Sequence, residues 1–397
     1  MEWKKYTVED NYLPVSGILA IFLIFMSFYF QSFLLFFLAA SILLLIFLNS
    51  LYLKHIGNQL HFENVKVRKK CFPQEEGTLV FQFENNGLPI MKGNVKIIFD
   101  EMISPIEGFA SPQFAKYEVN IPLSLNYQQK STIKIPFIAE KRGLAKIWSI
   151  DISVPHFFGL GEVVLQYKHV VMQEVLVYPI PTIVKNLHSF LSSKPGDSFV
   201  LHSLYEDFLS PSGTRDYVYS DSFNRINWKA SAKMQTLQTK VFDRIAETGW
   251  TLSLNIAHGH SILSELEELL SSAAQIAYFS AENHIPFSLC INVRKAGKVP
   301  FYYIAPGTGK DQLEKVLEVL AMVKAYSYTI PYEKMLGFYY RHLTVQPYFI
   351  HGGNRSSLDE QLFKRINYKG TELIELKLLE EEAVLIQMPV LKDVVGK

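Results

Sequence analysis

The chain has 397 residues and a formal net charge of +1, with 39 Lys and Arg against 38 Asp and Glu. This balance gives no overall electrostatic attraction for nucleic acid, and the length predicts two to three domains. The only two cysteines, Cys71 and Cys290, are far apart and lack a metal-type spacing. A disulfide between them stays open, but free thiols in a reducing compartment are favoured.

The first predicted elements are two membrane-spanning helices. Residues 13–53 carry no charged side chain and are rich in Leu, Ile, Phe and Ala. A single helix of that length would measure about 60 Å, roughly twice a bilayer core. Because the polar pair Gln31–Ser32 lies near the middle, we predict a helical hairpin in the lipid bilayer, Leu13–Phe30 and Phe33–Leu53. The alternative is a signal peptide followed by a buried helix, but the apolar stretch is much longer than a signal peptide requires.

Positive side chains flank this stretch on both sides. Two lysines, Lys4 and Lys5, precede the first predicted helix, and the turn between the helices carries no positive charge. The second helix is followed by Lys54, Lys66, Arg68, Lys69 and Lys70. The positive-inside rule then places both flanks in the cytoplasm. The sequence therefore predicts a multi-pass protein of the cell membrane whose N-terminus and soluble domains are cytoplasmic.

Residues 56–182 predict an antiparallel β-sandwich. Apolar and polar residues alternate with period two, and Asn85-Asn86-Gly87 supplies a turn. The predicted strands are 78–84, 94–99, 117–121, 130–138, 144–152, 162–166 and 175–179. No cluster in this domain resembles a catalytic site, so we interpret it as a structural spacer or docking module. Residues 183–204 lack periodicity and contain turn residues, which predicts a linker.

Residues 205–397 predict an α/β domain. Strands are predicted at 236–244, 250–257, 286–293, 299–304, 345–350 and 371–376. Helices are predicted at 264–283, 311–326 and 357–367. Strands that alternate with helices indicate a doubly wound, mainly parallel sheet, although the pattern alone does not separate the folds of that class.

The densest group of charged and aromatic residues lies in residues 205–240. Its pattern is Arg-x-Tyr followed by Asp-x-x-x-Arg-x-Asn-Trp-Lys, formed by Arg215, Tyr217, Asp221, Arg225, Asn227, Trp228 and Lys229. We predict that Asp221 caps a short helix reaching about Lys233, that Arg225 pairs with Asp221, and that Trp228 packs inward. Two interpretations stay open: a structural lock, or a cationic, aromatic surface that binds a partner protein or an anionic group.

This group resembles the signature of the bacterial "domain of unknown function 58" family, with a looser similarity over residues 155–293. The resemblance implies a von Willebrand A-like domain behind membrane helices. It also implies a MoxR-type AAA+ ATPase as a candidate partner. The family has no settled biochemical activity, so the resemblance implies an architecture more than a reaction.

Domains of the von Willebrand A type often bind a divalent metal at the end of their first strand, through Asp-x-Ser-x-Ser. The corresponding positions here are Asn255, Ala257 and Gly259, which lack the carboxylate and both hydroxyls. We therefore predict a degenerate site that holds no metal. His258 and His260 alone are a weak indication of a transition-metal site.

Two glycine-rich segments predict turns. Residues 304–311 resemble a phosphate-binding loop in their middle, but Ile304 replaces the required Gly and Asp311 replaces the required hydroxyl residue. Asp311 is instead predicted to cap the helix that follows. Residues 351–355 likewise predict a tight turn from a strand into a helix.

No general base lies beside a recognisable nucleophile in the signature, so we predict no catalytic residue and no cofactor. The sequence thus predicts a membrane-anchored, cytoplasm-facing scaffold or adaptor that docks a protein and is not an enzyme. The alternative functions are a metal-dependent binding protein and a hydrolase that uses the signature region.

Overall fold

The structure is a computed structural model. It describes residues 2–8, 12–106, 109–111, 116–155, 162–191, 206–244, 249–259, 261–379 and 382–389. The chain divides into two compact units, Met1–Tyr178 and Pro179–Lys397.

The first unit contains two helices and twelve strands among its described residues. They are β1 Trp3–Val8, α1 Tyr12–Tyr29, α2 Phe33–His55, β2 Leu60–Phe62, β3 Val67–Cys71, β4 Glu76–Asn85, β5 Ile90–Asp100, β6 Ile103–Pro105, β7 Phe109–Ser111, β8 Lys116–Leu125, β9 Gln129–Ala139, β10 Gly143–Pro155, β11 Glu162–Tyr167 and β12 Gln173–Val177.

An apolar helix near the N-terminus is long enough to cross a membrane. This helix is α2, and within the described part of the chain it alone passes the criteria of length and composition. Helix α1 is apolar over Val15–Tyr29, a shorter stretch. The two helices pack against each other, with the rings of Phe28 and Phe36 5.8 Å apart. The chain turns between them at Gln31 (φ 49°), where the sequence predicted the break.

The N-terminal strand β1 was not predicted, because the sequence indicated only a positively charged flank before the first membrane helix. β1 pairs with β11 in antiparallel register, Trp3 opposite Tyr167. The Trp3 indole N–H donates to the carbonyl of Leu60 at 2.9 Å, and Lys5 Nζ donates to Asn58 Oδ1 at 2.7 Å. The segments before α1 and after α2 therefore belong to one body.

Two facing sheets form the predicted β-sandwich. One sheet has the order β1-β11-β10-β5-β8-β7, with β12 joining β10 to β3, and the other has the order β2-β4-β9-β6. Along β4 the buried residues alternate, so that Phe81 and Phe83 face the core while Gln82 faces outward. Phe81 and Phe99 bring rings of the two sheets to 6.5 Å. Every strand predicted between residues 78 and 179 is confirmed.

The second unit alternates strands and helices. Its elements are β13 Val184–Lys185, α3 Leu187–Leu191, β14 Glu206–Asp216, a 3₁₀ turn Phe223–Arg225, α4 Trp228–Met234, β15 Gln238–Arg244, β16 Trp250–Asn255, β17 Ala257–His258, β18 Ser261–Ile262, α5 Leu266–Glu282, β19 Phe287–Arg294, β20 Phe301–Gly307, α6 Gly309–Met322, α7 Tyr332–His342, β21 Tyr348–Gly353, α8 Ser357–Tyr368, β22 Glu372–Leu378 and β23 Ala383–Gln387.

The main sheet of this unit has the order β13-β23-β22-β21-β16-β19-β20. Strands β16, β19, β21 and β22 are parallel to their neighbours in this group, and β20 and β23 flank them antiparallel. Helices cover both faces: Gly352 of β21 approaches Leu269 of α5 on one face, and Phe349 of β21 packs on Phe363 of α8 on the other. The order of the parallel strands reverses between β16 and β21. Ligands bind at the carboxyl side of such a reversal in open α/β sheets.

Part of the predicted linker 183–204 is ordered structure. β13 pairs with β23 in parallel register, and α3 follows it, so residues 184–191 belong to the second unit. The remainder of the linker, 192–204, lies outside the described residues. Strand β14, helix α7 and strand β23 were not predicted.

Both cysteines are free and buried, one in each unit. Burial raises the pKa of the Cys71 thiol to about 11 and raises that of Cys290 further. Both thiols are therefore protonated and unreactive near neutral pH.

Candidate functional site

The sequence signature lies on a two-stranded antiparallel ribbon, separate from the main sheet. We call β14, β15 and the connecting residues 217–237 the signature ribbon. β14 and β15 pair from Asp216 opposite Gln238 to Glu206 opposite Arg244, and the connection contains the 3₁₀ turn and α4. A long connection between only two strands needs its own internal bonds to hold a fixed shape.

Asp221 supplies the first set of these bonds. Its carboxylate accepts from Arg215 Nη2 at 2.5 Å, from the Val218 amide at 3.1 Å and from the Thr239 hydroxyl at 3.0 Å. The Tyr217 hydroxyl donates to the Asp221 carbonyl at 3.3 Å. The hydrogen bond with Arg215 is the main cause that holds the pKa of Asp221 below its usual value. Asp221 thus joins both strands of the ribbon to the connection.

Two predictions about Asp221 are corrected here. The cationic partner that the structure gives Asp221 is Arg215 of β14, where the sequence predicted Arg225. The residue that caps α4 is Asn227, whose Oδ1 accepts from the Ala230 amide at 3.2 Å. The helix begins at Trp228 because this amide side chain reaches the first turn, while the residues after Asp221 form the 3₁₀ turn.

Asn227 and Ser231 fasten α4 to β15. The Asn227 amide donates to the Gln238 carbonyl at 2.7 Å. The Ser231 hydroxyl donates to the Asn227 carbonyl at 2.8 Å and accepts from the Gln238 amide at 2.9 Å. Ser231 is therefore used structurally, which leaves no hydroxyl in this helix for nucleophilic chemistry.

The prediction that Trp228 packs inward is wrong. Trp228 is 59% exposed, and Phe223, whose ring lies 5.6 Å away in an edge-to-face contact, is 67% exposed. None of the seven residues of α4 is buried, so the helix has no apolar face against a core. Lys229 lies next to Trp228 on the same exposed helix.

Several large apolar side chains of the ribbon share this exposure. We call them, with Lys229, the signature surface: Tyr219, Phe223, Trp228, Lys229 and Met234. The contact between Phe223 and Trp228 joins two of these side chains, and exposed apolar side chains in contact mark interaction sites more often than scattered ones do. The signature residues divide accordingly: Arg215, Tyr217, Asp221 and Asn227 hold the frame, while Trp228 and Lys229 face outward, and Arg225 lies in the 3₁₀ turn, half-buried.

The second candidate site is the carboxyl end of β16, beside the reversal of strand order. Asn255 is 6% exposed there, and both ends of its amide are used. Its Oδ1 accepts from the Ala257 amide at 3.1 Å and from Asn292 Nδ2 at 2.7 Å, and its Nδ2 donates to the Asn354 carbonyl at 2.7 Å. A Cβ at Gly353 (φ 100°) would lie 2.0 Å from the Asn255 carbonyl oxygen. The chain's own amides thus fill this crevice.

The other positions of the degenerate metal site offer no further ligand. Ala257 has an apolar side chain, and Gly259 is exposed with a positive φ of 60°. His258 is exposed and hydrogen bonds to the side chain of Asn354, whereas His260 lies outside the described residues. The described parts of the chain contain no group of three or more His, Cys, Asp or Glu side chains that could hold a metal.

A buried hydroxyl–imidazole chain connects α7 to the sheet, and sequence reasoning missed it. The Tyr332 hydroxyl lies 2.8 Å from Ser253 Oγ and 2.7 Å from His351 Nδ1, while His351 Nε2 lies 3.1 Å from the Gly353 carbonyl. Burial lowers the pKa of His351 to about 3, so the imidazole is neutral near pH 7. All three side chains are buried, so a substrate does not reach them. These hydrogen bonds therefore position α7 on the sheet.

A second pair repeats this arrangement along the same helix. Tyr339 places its hydroxyl 2.7 Å from Thr251 Oγ1, which lies 2.8 Å from Ser288 Oγ. The sequence does contain a signal for this arrangement. Tyr332 and Tyr339 are seven residues apart in α7, two helical turns, and their partners Ser253 and Thr251 are two residues apart on one face of the buried strand β16.

The space beside the glycine-rich segment before α6 is occupied by the side chain of Gln312. Gln312 Nε2 donates to the carbonyls of Phe287 and Ala305, each at 2.8 Å, and a Cβ at Gly307 would lie 2.6 Å from Gln312 Oε1. The residue at the N-cap position is Thr308, so the predicted cap at Asp311 is corrected to a place in the first helical turn.

No family model matches the chain, and no curated protein matches it. Among solved structures it is similar to a CARDB domain from Pyrococcus furiosus, at 9% identity over 30% of this chain and 90% of that one, with a TM-score of 0.18. A PapD-like domain of human CEP192 gives 12% identity, 30% and 84% coverage and a TM-score of 0.18. A cohesin of R. flavefaciens is 9% identical over 31% of this chain and 97% of that one, with a TM-score of 0.19. Scores this low carry no argument about function.

Proposed function

We propose that this chain is a membrane-anchored, non-enzymatic adaptor that docks a protein partner through the signature surface. The observation that carries the proposal is the exposure of Trp228 and Phe223 on a ribbon whose frame is already satisfied by Asp221 and Asn227. A structural lock would bury its tryptophan. Here the polar residues hold the ribbon, and the aromatic pair is left to bind.

We interpret the second unit as a von Willebrand A-like domain. Its parallel strands with a reversal beside β16, and its helices on both faces, support this interpretation. The amides around Asn255 support a domain that keeps the scaffold without the metal. A metal-dependent binding protein or a hydrolase would need an open crevice with carboxylates or a reachable nucleophile, and no observation favours either.

We further propose that α1 and α2 cross the bilayer as a hairpin with both ends in the cytoplasm. The support is that β1 precedes α1, β2 follows α2, and both strands lie in the first unit beside the Trp3–Leu60 hydrogen bond. A membrane then has to be crossed an even number of times between residues 8 and 60. The lysines on the two flanks support the cytoplasmic side.

The first partner to test is a MoxR-type AAA+ ATPase. The full chain in detergent is immobilised, and capture of a purified MoxR-type ATPase and of proteins from a membrane extract is measured by mass spectrometry. We expect Trp228→Ala to lose the captured protein while keeping the melting temperature. Trp148→Ala is the matched control, because Trp148 is also 59% exposed but lies on the sandwich.

Equal capture by the wild type and Trp228→Ala would overturn the docking surface. So would a large fall in the melting temperature with capture unchanged per folded molecule, since that result identifies a structural lock. A captured protein other than the ATPase that is lost in Trp228→Ala alone would keep the surface and replace the partner.

A further inference from the structure

We infer that the first unit binds the acyl chain of a membrane lipid in a groove between α2 and the turn from β4 to β5. The inference rests on the proposed anchoring of α2 in the bilayer. The groove has a volume of about 510 Å³ and is lined by Leu45, Leu48, Asn49, Tyr52, Leu88, Pro89 and Met91. Nearly all of its wall is hydrocarbon.

The helix side of the groove lies at membrane depth. About 20 residues of helix span a bilayer core, which from Phe33 extends to the neighbourhood of Tyr52. Leu45 and Leu48, each 51% exposed, therefore face lipid near the end of the span. Tyr52 lies where aromatic side chains concentrate, at the boundary between lipid and water. A molecule that enters between Leu45 and Leu48 comes from the bilayer.

The turn side of the groove tolerates lipid at the Gly87 amide and at the Leu88 and Pro89 carbonyls, because each of these groups has a partner inside the protein. The buried Asn85 side chain donates to the Leu88 carbonyl at 2.9 Å and accepts from the Gly87 amide at 3.1 Å. The Tyr52 hydroxyl donates to the Pro89 carbonyl at 2.6 Å, and proline has no N–H to satisfy. An unpaired peptide group would be costly in hydrocarbon, and these bonds remove that cost.

The side chains that this turn presents are apolar and exposed. Leu88 is 39% exposed and Met91 is 60% exposed, both beside the leucines of α2. Exposed apolar residues on a rigid turn next to a membrane helix indicate contact with the same solvent as the helix, which is lipid. The apolar groove is thus continuous with the lipid-facing surface of α2, and its occupant is a single acyl chain.

The test uses the full chain in nanodiscs that contain phosphatidylcholine with a diazirine at the end of one acyl chain. After illumination, adducts are mapped by mass spectrometry. We expect adducts on the turn, at Leu88 or Met91, as well as on the lipid-facing Phe37 of α2. Leu48→Trp, which fills the groove, should lose the turn adducts and keep those on Phe37. Leu44→Trp is the control, because Leu44 is exposed on α2 but does not line the groove.

A second variant guards against a misfolded Leu48→Trp. Met91→Lys changes an exposed residue of β5 directly after the turn and should reduce the adducts on Leu88 without affecting the helices. Adducts on Phe37 with none on the turn would overturn the groove and leave the anchoring intact. An absence of adducts anywhere on α2 would overturn the anchoring itself. Turn adducts that persist equally in Leu48→Trp and Leu44→Trp would show contact with lipid without a groove, and would also overturn the inference.

Discussion

The signature ribbon and the carboxyl end of β16 both hold dense groups of polar residues, but they use them in opposite ways. Around Asn255, the amides bond to one another and to the backbone until the crevice is full, and the side chain is almost completely buried. On the ribbon, Asp221 and Asn227 satisfy the backbone and leave Trp228 and Phe223 in solvent. A crevice at the usual ligand position can thus be closed while a less regular segment keeps its aromatic side chains exposed to solvent.

The largest expected difference in stability is between substitutions of the two tryptophans of the second unit. Trp250, in β16, is 2% exposed, so Trp250→Ala should lower the free energy of unfolding by about 3–5 kcal/mol. Trp228→Ala should change it by no more than about 0.5 kcal/mol, as surface substitutions do. Urea unfolding of the full chain in detergent measures both. A loss above 2 kcal/mol in Trp228→Ala, on the order of a core truncation, would erase the contrast.

Trp250→Phe refines that measurement. The indole N–H of Trp250 has no hydrogen-bond acceptor among the described residues. Phenylalanine keeps a large ring and removes this unpaired donor, so Trp250→Phe should be much milder than Trp250→Ala.

Alanine substitutions at two glycines, one in the crevice and one on the ribbon, compare how tightly the two backbones are packed. Gly353→Ala brings a Cβ to 2.0 Å from the Asn255 carbonyl oxygen at a φ of 100°, and should cost on the order of 3 kcal/mol. Gly213→Ala is the control, because a Cβ on this ribbon glycine meets nothing within 4 Å among the described residues. Thermal melting compares the variants. Similar melting temperatures for both would mean that the crevice is looser than the amide network indicates.

Per pH unit, the smallest expected effect is a pH dependence at the buried imidazole behind the crevice. The pKa of His351 is lowered by burial from 6.5 to about 3. Between these values the unfolded chain binds one more proton than the folded chain. The free energy of unfolding should therefore fall as the pH drops below about 6.5, by up to about 1.4 kcal/mol per pH unit.

The control for this slope is His351→Gln. Asp359 is buried nearby with a raised pKa, and its contribution has the opposite sign, but it is the same in both proteins. The difference between the two pH profiles from pH 7 to pH 4 isolates the imidazole. Parallel profiles would show that the pKa of His351 is the same in the folded and unfolded states, which would contradict the burial effect.

The sequence predicted the longer strands of the sandwich because most of them alternate along their own length, as Phe81, Gln82 and Phe83 do. It missed the short strands β2, β3, β6 and β7. It also predicted α5, α6 and α8 from their apolar spacing. It missed β1 because a short strand rich in lysine resembles a membrane flank, and its partner β11 is distant in the chain. It missed α7 because two of the residues that α7 buries, Tyr332 and Tyr339, read as polar aromatic residues rather than as an apolar stripe.

The candidate site was predicted in composition but not in arrangement. The prediction assumed one helix that begins at Asp221. In such a helix Arg225 lies one turn after Asp221, and Trp228 faces inward. The helix begins only after Asn227, and the partner of Asp221 comes from β14, which the sequence did not reveal. Contacts made across a ribbon cannot be read from spacings within a helix, so both errors have the same origin.

The pairing of β1 with β11 also sets the order in which the chain matures. β1 is synthesised first, but β11 follows about 160 residues later, roughly 8–30 s at ordinary rates of translation. During that interval the nascent chain carries an unpaired strand, whose Lys4 and Lys5 discourage wrong pairing. Because α1 and α2 pack side by side, they hold β1 next to the sandwich as it emerges, which raises the effective concentration of β1. The two helices thereby favour the late pairing of β1 with β11.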